Sequence, residues 1–202
     1  MIAVSEGLDR SVSCIMGCCR DGIRYRQMVN DELKMIYYKI PRCASTSVGV
    51  FLAKHGFRET AGPPKAIPGY FHFTFSRDPY ERAISCCRYA RGKNQFIYKY
   101  FTAAKIDRAS LSFIDFCGMI ECIPNHHWDS AYKFIPKGGV DLVVQLEDMV
   151  GFDVIQKKIG TNMGFPHLHG SSGAKKDTCC TASRDIVIKK YDDDFRLFGY
   201  PT

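Results

Sequence analysis

Apolar positions fall in short bursts separated by polar stretches rich in glycine and proline, and the period of each burst predicts an element. Residues 34–40 (KMIYYKI) are nearly continuous in apolar and aromatic side chains, as a buried strand is. Residues 46–55 carry Val48, Phe51 and Leu52 at helical spacing, and Gly56 closes that helix. A short extended piece over 57–60 leads into AGPPKAIPG, a loop by composition. Residues 69–76 (GYFHFTFS) form the second strand, with Pro79 placed to open a helix through Tyr89. Further helices are predicted over 94–104 and over 111–120, the latter capped by Ser110. Residues 141–146 (DLVVQL) give a third strand and 149–159 a helix. Residues 164–180 read as loop and 183–191 as helix, ahead of DDDFRLFGYPT. Residues 1–33 show weak periodicity and predict only a lead-in, with a short helix around 23–30. Strands alternating with helices imply one three-layer α/β domain over 34–202, with a mainly parallel central sheet flanked by helices.

Composition narrows the class of partner. A chain of 202 residues, 46% hydrophobic and 24% charged, can bury a single core without staples. The net charge of +7 favours anionic partners, but no run of five or six basic residues marks a nucleic-acid arm. Ten cysteines include three doublets, none with CxxC spacing, and Cys14 and Cys18 lack a second pair, so no metal site is expected. The apolar stretch SVSCIMGCC has no basic flank before it, and it falls well short of the ~20 residues that cross a bilayer. The expectation is therefore reduced, packed thiols in a cytoplasmic protein with no membrane segment.

Two strand ends carry chemistry. In an open parallel sheet, ligands bind beyond the carboxyl ends of the strands, where helix N-termini point. After the first strand, RCASTS sets Arg42, Ser45, Thr46 and Ser47 at a helix start, where unpaired amides and the helix dipole favour an anion. The plainer alternative is that Ser45 or Thr46 caps the helix. After the second strand comes RDPYERAIS, where the Arg77 guanidinium and the Ser85 hydroxyl, two helical turns on, can converge on a second anion. The alternative there is a surface pair between Arg77 and Asp78.

Together, IPRCASTSV and FTFSRDPYERAIS resemble the two cofactor motifs of the sulfotransferases that use 3′-phosphoadenosine 5′-phosphosulfate (PAPS). The likeness is closest to the carbohydrate branch, of heparan sulfate 2-O and chondroitin/HNK-1 type. It continues through HHWDSAYKFIP, VDLVVQLEDM and DDDFRLFGY, covering about residues 34–200 in order. The resemblance implies a P-loop-like fold. It implies that Arg42, Cys43, Ala44, Ser45, Thr46 and Ser47 cradle the 5′-phosphosulfate, and that Arg77 and Ser85 hold the 3′-phosphate. PAP would be the product and a hydroxyl, most simply of a carbohydrate, the acceptor. Most of that branch carries lysine where Arg42 stands, while related enzymes acting on protein tyrosine and some sugars carry arginine.

Sulfuryl transfer needs positioning and electrostatic stabilisation at the leaving oxygen, which assigns Arg42 there without a metal. The acceptor's proton needs a base. Glu59 is one candidate, at the carboxyl end of its extended piece if that piece runs parallel. His127, in the HHW loop, is the other. His72 lies about five residues before the end of its strand, on the order of 16 Å from the site at ~3.3 Å per residue, and reads as a sheet-face histidine. Lys175 and Lys176 could close over phosphates or be solvated, Trp128 could stack on a ligand or be core, and Phe71, Phe73 and Phe75 read as packing. An ATP- or GTP-using phosphotransferase would want a lysine beside the loop's Ser/Thr and an acidic magnesium site. A silent module binding a nucleotide or a sulfated glycan is the third reading.

Overall fold

A computed structural model describes residues 24–92, 107, 110–165 and 180–202. The predicted helix over 94–104, Lys175 and Lys176 lie outside them, as does most of the 164–180 loop. Five strands, β1 (Arg26–Asn30), β2 (Met35–Tyr38), β3 (Arg58–Ala61), β4 (Phe71–Ser76) and β5 (Leu142–Gln145), form one sheet in the order β3-β1-β2-β4-β5. Among the described residues the helices are α1 (Ser45–Ala53), α2 (Pro79–Arg91), α3 (Phe113–Cys122), α4 (Phe152–Ile159) and α5 (Thr181–Phe198), with a short 3-10 helix at Ala131–Phe134.

The sheet is mixed, which corrects the mainly parallel expectation. β2, β4 and β5 run parallel, but β1 pairs antiparallel with both β2 and β3. The cause is a hairpin in the lead-in: Asn30 Oδ1 accepts the Leu33 N–H (2.8 Å), and Lys34 turns the chain at φ 50°. The helix expected around 23–30 is absent over 26–30, which are β1 instead. Its Met28 and Val29 are buried on opposite faces, against Tyr37 and Ile36 of β2.

Alternation along the strands splits the core in two. Met35, Tyr37, Phe73, Phe75 and Val144 face Val48, Phe51 and Leu52 of α1 and Phe152 and Ile155 of α4. Full burial of each such side chain contributes about 1.5–3 kcal/mol. Phe73 and Phe75 are packing residues, as expected. On the other face Ile36, Tyr38 and Val143 meet Phe134 and Phe198. His72 also belongs to the sheet. It is buried, its Nε2 meets the backbone of Ile67, and its ring sits edge-on to Tyr38.

α2, α3 and α5 pack on one another around Phe116, Trp128, Val187, Tyr191 and Phe195. Trp128 is core: it is 1% exposed and its indole N–H donates to the Ile123 carbonyl (2.7 Å). α3 starts at Phe113 with Ser112 as N-cap, accepting the Asp115 N–H, whereas Ser110 donates to the Asp107 carbonyl. Starting there leaves Leu111 and Phe113 both buried. α5 runs past the predicted end at 191, bending at Tyr191 (φ −114°, ψ 24°) and closing on Gly199 at φ 72°. No helix among the described residues is long and apolar enough to cross a membrane.

Candidate anion site

β2 and β4 are parallel neighbours, so the turns at their carboxyl ends lie side by side. The first turn, residues 41–44, places two non-glycine residues in the left-handed region, Arg42 at φ 67° and Ala44 at φ 50°. Such residues cost on the order of 1 kcal/mol or more each and persist only where their surroundings enforce them. Ala44 is the N-cap residue of α1, and no side chain caps that helix. Neither Ser45 nor Thr46 performs the capping that the plainer reading assigned to them. Ser45 is half-buried, Thr46 exposed and Ser47 buried.

The second turn is closed. Asp78 accepts the N–H groups of Tyr80 (2.9 Å) and Glu81 (3.0 Å), and its own N–H donates to Glu147 (2.9 Å). Tyr200 donates to Glu147 (2.9 Å) and also meets the Ser76 hydroxyl (2.9 Å). The two turns are therefore chemically unlike. The first offers backbone amides, whereas the second offers only side chains. Arg77 pairs with Glu81 (3.1 Å), one turn along the helix, rather than with Asp78.

Arg42 joins the two turns. Its Nε and Nη2 both donate to the Ser85 hydroxyl, at 3.1 and 2.9 Å, and its guanidinium lies 4.8 Å from the centre of the Tyr89 ring. Among the described residues no carboxylate lies within ion-pair distance of it. Burial lowers its affinity for its proton, and Arg77 adds to the effect, while Cys86 and Tyr89 oppose it. Among the described residues this half-buried cation is paired with neutral groups, beside a positive helix end. That arrangement is suited to an anion.

His127 stands on the same side. Its ring lies 4.3 Å from that of Tyr89 and 3.9 Å from that of His126, and its Nδ1 is buried without a hydrogen-bond partner. Burial, followed by His126, Arg42 and Arg82, pushes its pKa down to about 3, so it is neutral at ordinary pH. Cys43 is fully buried, and burial pushes its thiol up to about 12; it contributes backbone to the turn and no thiolate.

Glu59 is placed differently from His127. β3 is an edge strand pairing antiparallel with β1, and the Glu59 carboxylate is shared by Arg26 and Lys39. Partial burial raises its pKa, but those hydrogen bonds outweigh it and hold the carboxyl below its usual range. Lys39 is likewise committed, its ammonium paired with Glu59 and lying near Gly49. A separate groove of about 710 Å³ is lined by Tyr25, Pro63, Pro64, Tyr132, Lys133 and Lys137 among others. None of Arg42, Arg77, Ser85 and His127 lines it.

Sequence reasoning singled out Arg42, Ser85, Arg77 and His127 but passed over Tyr89, Arg82, Asp194 and Glu147. Arg82 and Asp194 form a buried pair (3.6 Å), each side chain 2% exposed. The available signal was periodicity. Tyr191, Asp194, Phe195 and Phe198 form one helical stripe, so Asp194 is the acid of its run that faces inward.

Fold and geometry together define a mixed α/β domain with a strand-end arrangement suited to an anion. Compared with protein-family models, with curated proteins and with solved structures, the chain gives no match.

Proposed function

We propose that the chain is a sulfotransferase that uses PAPS to sulfate a hydroxyl, most simply of a carbohydrate or another small acceptor. The observation that carries this reading is Arg42, a half-buried guanidinium without a carboxylate among the described residues, bridging an uncapped helix N-terminus to Ser85 on the neighbouring turn. The finer reading of the fold, a three-layer P-loop-like domain, rests on β2 and β4 running parallel with each feeding a helix.

PAPS, when bound, supplies the sulfuryl group and a PAP leaving group. The amides of Ser45, Thr46 and Ser47 at the start of α1 would hold its 5′-phosphosulfate. Ser85 accepts both Arg42 N–H groups and keeps its own O–H to donate to the 3′-phosphate, with Arg77 alongside. Arg42 supplies fixed charge where the bridging oxygen gains it, an effect worth about 2.7–4 kcal/mol when a comparable donor is removed. Neutral His127 is the candidate to take the acceptor's proton. An anion arriving at Arg42 offsets one of the cations that depress its basicity. With Glu59 occupied by two cations, His127 is the better-placed base of the two. The acceptor would be covered by the described loops 61–68 and 121–137.

Radiolabelled PAPS incubated with a panel of hydroxyl acceptors tests this reading. Transfer of label to a sugar hydroxyl without added metal is expected. Binding of PAP with no transfer to any acceptor would favour the silent binding module instead.

A further inference from the structure

Arg82 sits behind the candidate anion site, not in it. Its Nε donates to the Pro41 carbonyl (3.2 Å) and its Nη2 to the Asp129 carbonyl (2.6 Å), with a longer approach to the His127 carbonyl (3.5 Å). Its Nη1 faces Asp194, which in turn accepts the N–H groups of Ala131 (2.7 Å) and Tyr132 (2.9 Å). One buried cation thus ties together the first turn, the His-Trp turn and α5. An apolar side chain of the same volume would often serve stability as well, so the choice of arginine calls for a reason. Irregular backbone supplies one. Residues 41–44 and 127–129 carry inward carbonyls outside helix and sheet, and such groups must be paired.

Peptide planarity carries the argument to the anion site. No peptide bond of the described chain is cis. In a trans peptide the N–H points opposite to the C=O. The Pro41 carbonyl points at Arg82, so the Arg42 N–H of the same peptide points away from it, out of the core. Arg42 then adopts φ 67°, a conformation that a non-glycine residue abandons unless held.

We infer that Arg82 is a positioning residue of the anion site, fixing peptide 41–42 so that the Arg42 amide faces outward and the Arg42 side chain reaches Ser85. Asp194 holds Arg82 in place and so makes the turn dependent on α5. The inference rests on the sulfotransferase reading only for the identity of the anion.

Two variants and one measurement on the unaltered protein test it. Arg82→Lys keeps the charge opposite Asp194 but loses the planar fork that serves separate carbonyls. The double variant Arg82→Met/Asp194→Leu removes both buried charges together. Both are expected to fold, with PAP affinity by calorimetry at least tenfold below that of the parent. The transfer reaction should lose kcat more than KM rises, because the group misplaced is the one acting on the leaving oxygen. In the unaltered protein without ligand, the Arg42 amide should exchange with solvent readily, and PAP should protect it. A folded variant that binds PAP like the parent would overturn the inference. So would failure of both variants to fold, which would make Arg82 a residue of the fold alone, and so would an Arg42 amide protected in the absence of ligand. If the parent itself does not bind PAP, the sulfotransferase reading fails, whereas amide exchange still reports which way peptide 41–42 faces.

Discussion

Replacing Arg42 by methionine separates a residue kept for binding from one kept for folding. The substitution removes two hydrogen bonds to Ser85 and a cation over Tyr89, while leaving an unbranched apolar side chain to cover the ring. Each lost bond costs about 0.5–1.5 kcal/mol net. Against that, the variant no longer buries a charge whose position already lowers its proton affinity, and it relieves repulsion from Arg77. The two effects are of similar size, so stability without ligand should stay within about 1 kcal/mol of the parent. For a chain of this length that is a melting shift of about 2–4 °C. Ligand response should change far more. A hydrogen bond to a charged group is worth about 1.5–3 kcal/mol, or roughly 10- to 150-fold in affinity. At PAP concentrations 100 times the parent's Kd, the parent should gain about 2.7 kcal/mol. A variant binding about 30-fold more weakly should gain about 0.9 kcal/mol under the same conditions. Thermal unfolding of both proteins with and without PAP reads all four values. A variant destabilised by more than about 2 kcal/mol without ligand would make Arg42 a residue of the fold, and one that keeps the parent's full PAP-induced shift would remove it from the anion site.

His127 should stay neutral down to acid pH, so its imidazole resonances should not move between pH 8 and 5 in the free protein, and PAP should bring their titration upward. Because its folded pKa, about 3, lies below the unfolded value of 6.5, the unfolded chain binds the extra proton between them. Its contribution to stability is thus complete above pH 6.5 and declines as pH falls toward 3. Urea titrations at pH 7 and pH 5 should show a smaller difference in a His127→Gln variant than in the parent. That variant should lose about 10²–10⁴-fold in turnover, whereas Glu59→Gln should retain it; the reverse result would move the base to Glu59. Asp78→Ala should cost about 1 kcal/mol by urea titration, since it removes the cap of α2 but no part of the open turn.

The legible parts of the fold were those whose chemistry repeats locally. β2, β4 and β5 are covered on both faces, so residues 34–40, 69–76 and 141–146 read as nearly continuous apolar runs. β1 did not, because RQMVN is five residues long, begins exposed and is reached through a turn lacking glycine; Lys34 takes the left-handed angle in its place. That one hairpin makes the sheet mixed. At α3, two serines flank Leu111, and only burial of Leu111 and Phe113 decides that Ser112 is the cap. In the candidate site, the two turns were visible as residue types after strands, and Ser85 could be placed two helical turns from Arg77. The bridge from Arg42 to Ser85 spans 43 positions and depends on β2 and β4 being neighbours, which no local pattern encodes. Arg82 was hidden for the same reason: its partners lie at Pro41, Asp129 and Asp194, and within RDPYERAIS it reads as one more surface cation.

On the proposed function, the Arg42 turn takes a phosphosulfate nucleotide, not a nucleoside triphosphate. Calorimetric titration of the protein with PAP and with ATP, each with and without magnesium, tests it most directly. Tight PAP binding that needs no magnesium and exceeds the binding of ATP in either buffer is expected. Preference for magnesium-ATP, or no heat from PAP, would contradict it.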